Sequence, residues 1–226
     1  MTSRNPDDLS DELEDAEFSG ETELLIELRD EARKTVDCQI QTLGDIDSKA
    51  SKIFRLNVIL IGVIVSVLSI VAQNGTAGSS GLKSVEPFTN IYMQWSIVAL
   101  VLSTVFAATT YTASELDVGV SSTNMAKLLK SDLPRKEIEQ LLLENYITRI
   151  NFNRSENIRN IPLLQLTIVL LITAVVLFAL GTYDATIGSV PWWLSGASSA
   201  LLLISVVISG LPQQLRRAGA DIREWR

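Results

Sequence analysis

The side chains whose type and position could do chemistry are few. Asp47 and Lys49 stand two residues apart where a charged helical pattern over residues 45–73, DIDSKASKIFRLNVILIGVIVSVLSIVAQ, turns apolar without a break. Residues two apart on a helix point to different sides, so these two cannot pair with each other. Asp45 precedes Lys49 by four, the favourable acid-before-base spacing, which leaves Asp47 to reach an arginine of another helix, Arg154 or Arg159. Together with Ala50 these residues make a candidate clamp at the foot of a membrane span; ordinary juxtamembrane charge is the competing reading. A second polar group is Asn151, Asn153, Asn157 and Asn160, amides that suit hydrogen bonding between helices or, as the sharper alternative, a polar ligand site. Gln165 and the scattered Ser and Thr residues read as helix-packing groups, with a narrow polar path through an assembly as their alternative.

Most other chemistry is excluded by residue type. Cys38 is the single cysteine and histidine is absent. That removes an internal disulfide, zinc sites built from Cys and His, His-ligated haem, and catalysis of the Ser-His-Asp or Cys-His kind. There is no phosphate-cradling Gly-rich loop, no regularly spaced Asp-rich calcium loop and no pair of catalytic carboxylates in a plausible pocket. The chain therefore reads as a non-enzyme with no cofactor and no metal, and Cys38 as structural or incidental. Asn74-Gly75-Thr76 matches the glycosylation acceptor pattern, which makes Asn74 a candidate modification site.

The elements that must position these residues come from the distribution of charge. Over 226 residues, 47% are apolar and the mean hydropathy is +0.26, values that do not decide the class. The stretches 56–82, 87–114, 160–183 and 185–215 contain no Asp, Glu, Lys or Arg. Residues 56–73, at about 1.5 Å each, reach roughly 27 Å, close to the hydrocarbon thickness of a bilayer. The expected class is an all-α integral membrane protein with four transmembrane helices, 56–73, 91–113, 161–183 and 192–211, and a cytosolic helical extension. The first span lies too deep in the chain to be a cleaved leader. Eighteen of the nineteen Lys and Arg residues lie outside the two external connections, Lys83 being the exception. The bias of short cytoplasmic segments toward positive charge then sets both termini and the middle insert on the cytoplasmic side of a plasma membrane.

Residues 1–23 hold nine acids against Arg4 alone, so residues 1–20 read as a disordered acidic tail. The formal charge of −7 argues against a nucleic-acid partner and suits a high-salt cytoplasm. Residues 21–55 predict one amphipathic helix with apolar positions 25, 28, 32, 36, 40, 43, 46, 50 and 53, a coiled-coil-like period of 3.5 that needs a partner helix. That partner is expected within the insert 115–160, where a first helix starts near Ser121–Thr123 and a second runs over about 134–158, ahead of a third span opening at Pro162. A Gly- and Ser-rich loop joins the first two spans. Ser195 to Ala200 is a run of small residues suited to close helix contact, and residues 212–226 form a basic tail.

Asp47-Ser48-Lys49-Ala50 at the foot of a span, with an amphipathic helix before it and a spacer and second span after, resembles the membrane effectors of prokaryotic cyclic-nucleotide antiphage systems. Tyr146-Ile147-Thr148-Arg149-Ile150-Asn151, with Asn157 and Asn160 ahead of the third span, is similar to the cytosolic part of the same group. The resemblance covers roughly residues 21–185, and the fourth span departs from two-span members. It implies a protein that assembles when a cytosolic sensor or signalling partner detects infection, and that then impairs the membrane.

The absence of any Asp, Glu, Lys, Arg or His within the spans argues against a proton relay, a voltage sensor or a pump. The function expected is a non-enzymatic, homo-oligomeric membrane effector or signalling component in prokaryotic defence, with the bilayer as its first partner. The alternatives are a constitutive envelope scaffold and, behind it, a channel or transporter subunit.

Overall fold

The computed structural model describes residues 4–16, 18–74, 86–112, 125–126, 128 and 130–224, and these contain helices and no strand. The helices are α1 (Pro6–Glu14), α2 (Thr22–Asn74), α3 (Ile91–Thr112), α4 (Arg135–Ile187), α5 (Trp192–Ser209) and α6 (Leu211–Glu224). A 3-10 turn at Glu86–Thr89 leads into α3. Four of them, α2 to α5, contain segments long and apolar enough to cross a membrane. The external loop expected after Asn74 and the first helix expected in the middle insert fall largely outside the described residues.

The chain divides into two compact units. A charged unit holds Met1–Ile46, Ser114–Ile161 and Gln214–Arg226, and an apolar unit holds Asp47–Ala113 and Pro162–Gln213. In the charged unit α2 buries Leu25, Ala32, Val36, Leu43 and Ile46, while α4 buries Glu139, Arg149, Asn153, Ser155 and Asn160. Leu28, an expected member of the stripe, is 43% exposed; Arg29 takes its place, half-buried. In the apolar unit Ile64 of α2, Ala99 and Leu100 of α3 and Ala174 of α4 form the core, flanked by Leu60, Leu68, Leu170 and Phe178.

Two expectations from sequence are corrected. Residues 1–20 are not a featureless tail, because α1 forms within them. Its start is well specified: the Asn5 side chain accepts from the Asp7 N–H at 2.9 Å, Pro6 occupies the first turn and Asp7 and Asp8 sit at the positive end of the dipole. Leu9 is then 5% exposed, and the Arg4 guanidinium pairs with Glu12. Charge composition alone misses such local signals.

The second correction concerns Pro162, which lies inside α4 instead of opening a new helix. A proline in a helix interior costs about 3 kcal/mol, and here Pro162 is buried with Leu164 two residues on. The segment read as a basic tail is helical as far as Glu224. Gly210, at φ 68, ends α5 in the left-handed conformation that favours glycine, and α6 begins at the next residue. The small residues Ser195 to Ala200 of α5 are exposed or half-buried in this chain. No residue of α5 is buried, and a Cβ added at Gly196 would meet nothing within 4 Å. Trp192 is 85% and Ile208 80% exposed, on a helix long and apolar enough to cross a membrane.

Candidate functional site

The residues that distinguish this molecule are polar groups set into seven-residue rows. Along α4 the row is Glu139, Tyr146, Asn153, Asn160, Thr167, Ala174 and Gly181, buried at every step except the half-buried Tyr146. Along α3, Met93, Ser96, Leu100, Ser103, Ala107 and Thr110 are buried at alternating steps of three and four. Along α2 one row is Arg29, Val36, Leu43, Ala50, Asn57 and Ile64. Buried positions spaced at 3.5 residues keep one narrow face of each helix toward its neighbours.

In the apolar unit the polar members of these rows act as glue. Helix α3 runs antiparallel to α4, and the two are joined by three side-chain donors on main-chain acceptors at intervals close to seven residues. Asn90 Nδ2 donates to the Gly181 carbonyl at 2.7 Å, Ser96 Oγ to the Ala174 carbonyl at 2.7 Å, and Ser103 Oγ to the Thr167 carbonyl at 3.0 Å. Ser103 Oγ also accepts from Asn57 Nδ2 at 2.9 Å, which brings in α2. Asn90 has a second task, since its Oδ1 accepts from the Met93 N–H and caps α3. The approach at Gly181 is close: a Cβ there would lie 3.0 Å from Met93 N and 3.1 Å from Asn90 Oδ1. Small residues with polar donors hold helices together where apolar burial supplies no driving force.

In the charged unit α2 and α4 run parallel, and the polar members are less well matched. Arg29 of α2 pairs with Glu139 of α4 and with the neighbouring Asp30. Hydrogen bonding to Asp30 and the charges of Glu139 and Asp30 raise the Arg29 pKa above its ordinary value, against a smaller opposing effect of burial. A raised folded-state pKa contributes stability that is complete below the ordinary arginine value, so the Arg29 shift contributes no pH dependence near neutrality. Gln39 Nε2 donates to the Ile150 carbonyl at 3.1 Å, and Asn157 Nδ2 to the Gln39 carbonyl at 3.4 Å. The amide atoms left over in this unit are Gln39 Oε1, both Nδ2 and Oδ1 of Asn153, Asn157 Oδ1 and Asn160 Nδ2, all buried with no hydrogen-bond partner among the described residues. Asn153 is 1% exposed. Each such group carries a desolvation penalty of about 1–3 kcal/mol. The unit therefore carries a cluster of costs along α4 at the level of Gln39.

The remaining Asn of the sequence group has a different task. Asn151 Oδ1 accepts from the Arg4 N–H at 2.7 Å while its Nδ2 donates to the Arg4 carbonyl at 2.8 Å, so one amide holds one residue of main chain from both sides. Gln140 Nε2 donates to the Ala16 carbonyl at 2.8 Å, and Lys136 lies over the Phe18 ring at 5.6 Å. These contacts fasten the N-terminal segment along α4.

The candidate clamp residues divide between the units. Asp47 is half-buried, Lys49 exposed and Ala50 wholly buried in the apolar unit, while Arg154 and Arg159 are half-buried in the charged unit. No ion pair joins Asp45 to Lys49 among the described residues; two exposed side chains gain too little from pairing to hold one geometry. Lys34 pairs with Glu31 at 3.3 Å, while Arg29 engages Asp30. Asn74 is the last residue of α2, and its side chain and the rest of its acceptor pattern lie outside the described residues. Cys38 is exposed.

Sequence reasoning passed over Arg29, Gln39, Asn57, Ser96 and Ser103. Strict counting by seven from Leu25 and from Val36, blind to polarity, finds the first three. Comparison with family models, curated proteins and solved structures finds no match to this chain.

Proposed function

We propose that this chain is a non-enzymatic multi-pass membrane effector or signalling component, in which repacking of cytosolic α2 and α4 segments governs assembly of copies in the bilayer. The setting proposed is prokaryotic defence at the plasma membrane, with both termini cytoplasmic and a cytosolic sensor as the partner that triggers assembly. The observation that carries this reading is Asn153, an amide 1% exposed with neither polar atom hydrogen-bonded. A buried amide in a helix row lowers the stability of one association and selects among others, so the packing that leaves it unmatched competes closely with one that satisfies it. That is the property a two-state element needs. A trigger that favours the second packing then shifts the population by its differential affinity.

Expression with thiol crosslinking tests the reading. Asn153→Leu fills the row with an apolar side chain, holds α2 on α4 and is expected to reduce both crosslinked assemblies and growth inhibition. Asp47→Ala is expected to change assembly with insertion intact, and Lys49→Ala to act more weakly. A fixed oligomeric state and unaffected growth in the parent and all three variants would reject an effector and favour a constitutive scaffold.

A further inference from the structure

Helix α6 begins at Leu211, two residues after α5 ends at Ser209. A connection that short keeps its first turn within a few ångströms of the place where the apolar helix stops. The large and small apolar side chains of α6, Leu211, Leu215, Ala218 and Ile222, recur at steps of four, three and four and share one side. That stripe is only half covered by the chain. Leu211 and Ala218 are 7% and 9% exposed, whereas Leu215 and Ile222 are 51% and 46% exposed. At about 100° per residue, Arg216 and Arg223 lie together along one side of the uncovered half, and Arg217 and Ala220 lie toward the opposite side. All three arginines are exposed, and the helix carries no acid before Asp221 in its final turn.

We propose that α6 is an anionic-phospholipid site: it lies in the headgroup layer with Leu215 and Ile222 turned to the upper acyl chains and Arg216 and Arg223 on lipid phosphates. The features are those of an in-plane amphipathic helix, an apolar strip bordered by cations immediately beyond a span. A protein occupant is disfavoured by area. Two half-exposed aliphatic side chains offer on the order of 200 Å², against about 800 Å² per partner in a stable protein interface. Arginine offers a planar fork of donors that matches phosphate oxygens and complements a negative leaflet. The proposal requires that α5 cross the bilayer and is independent of any role in defence.

The test uses the full chain in lipid nanodiscs with Cys38→Ser and one introduced thiol carrying an environment-sensitive fluorophore. At Leu215→Cys the emission is expected to shift to the blue in discs containing phosphatidylglycerol and to be quenched by lipids brominated high on the acyl chain. Ala220→Cys is expected to remain water-like in the same discs. Arg216→Gln and Arg223→Gln should each lower the ratio of docked to undocked label about fivefold, and should have no such effect in phosphatidylcholine discs. Ile222→Cys reports on the same stripe if Leu215→Cys fails to fold. Water-like emission at both stripe positions would overturn the proposal. So would blue emission that brominated lipid does not quench, since protein would then cover the stripe. Docking indifferent to lipid charge would remove the assignment to anionic headgroups.

Discussion

The charged unit and the apolar unit use the same seven-residue spacing and differ in how fully their polar side chains are matched. In the apolar unit Ser96 and Ser103 each donate to a carbonyl of α4, and Asn90 bridges Gly181 to the start of α3, while Asn57 Oδ1 and Gln165 Oε1 are left over. In the charged unit neither side-chain polar atom of Asn153 has a hydrogen-bond partner among the described residues, and Gln39, Asn157 and Asn160 each leave an amide atom unmatched. The apolar unit holds the segments long and apolar enough to cross a membrane, and water and hydrocarbon reward different contacts. Water rewards burial of Leu25, Val36, Leu43 and Ile46, so a polar group in that row is tolerated at a cost. Hydrocarbon gives no reward for bringing leucines together, so small residues and hydroxyl donors must supply the contact. One repeat thus yields a row held by burial and weakened by amides, and another held by hydrogen bonds.

The contrast breaks most sharply at Leu43, which is 1% exposed. Leu43→Asp is expected to destabilise the charged unit by about 3–4 kcal/mol, the scale for burying an unpaired charge. Leu28→Asp, on the exposed neighbour, should stay within about 0.5 kcal/mol. Denaturant midpoints and protease resistance of the full chain in detergent check both, and equal losses would place Leu28 in the row.

A smaller effect is expected at Gly181 in the apolar unit. Gly181→Val puts a side chain 3.0 Å from the Met93 backbone nitrogen, which cannot rotate away, and should cost about 1–3 kcal/mol. Gly62→Val, where a Cβ meets nothing within 4 Å, is the control. Similar stability of the two variants would show that α3 and α4 do not depend on close approach there. The smallest effect separates the two uses of a hydroxyl. Ser103→Ala removes two interhelical hydrogen bonds and should cost about 0.6–1.7 kcal/mol, whereas Thr109→Ala removes only a bond within its own helix, to Val105, and should be nearly silent. A thermal unfolding series in one detergent resolves the pair.

The apolar skeleton of both units is legible in the sequence because large side chains announce themselves. Charge-free stretches mark the helices that are long and apolar enough to cross a membrane, and the spacing of Leu25, Ala32, Val36, Leu43 and Ile46 marks the buried side of α2. Reading a row by hydrophobicity also explains the errors. It selects Leu28 over Arg29, and it is blind to Gln39 and Asn57, whose stem or amide is buried because of position. The targets of Ser96 and Ser103 are main-chain carbonyls, which carry no sequence signal. Helix α1 was concealed by its own acidity, although Asn5-Pro6-Asp7-Asp8 is a helix-start signal in plain view. Gly181 is informative only once Met93 is known to face it.

The central claim is that a polar side chain weakens the row in the charged unit, and Asn153→Leu tests it most directly. Hydrogen exchange of the full chain in nanodiscs is expected to slow by roughly 5- to 30-fold over 29–46 and 139–160, corresponding to about 1–2 kcal/mol recovered from an unmatched amide, with residues 96–110 unchanged. Faster exchange over 29–46 and 139–160 would mean that Asn153 is a bonded, stabilising member of the row, and would contradict the claim.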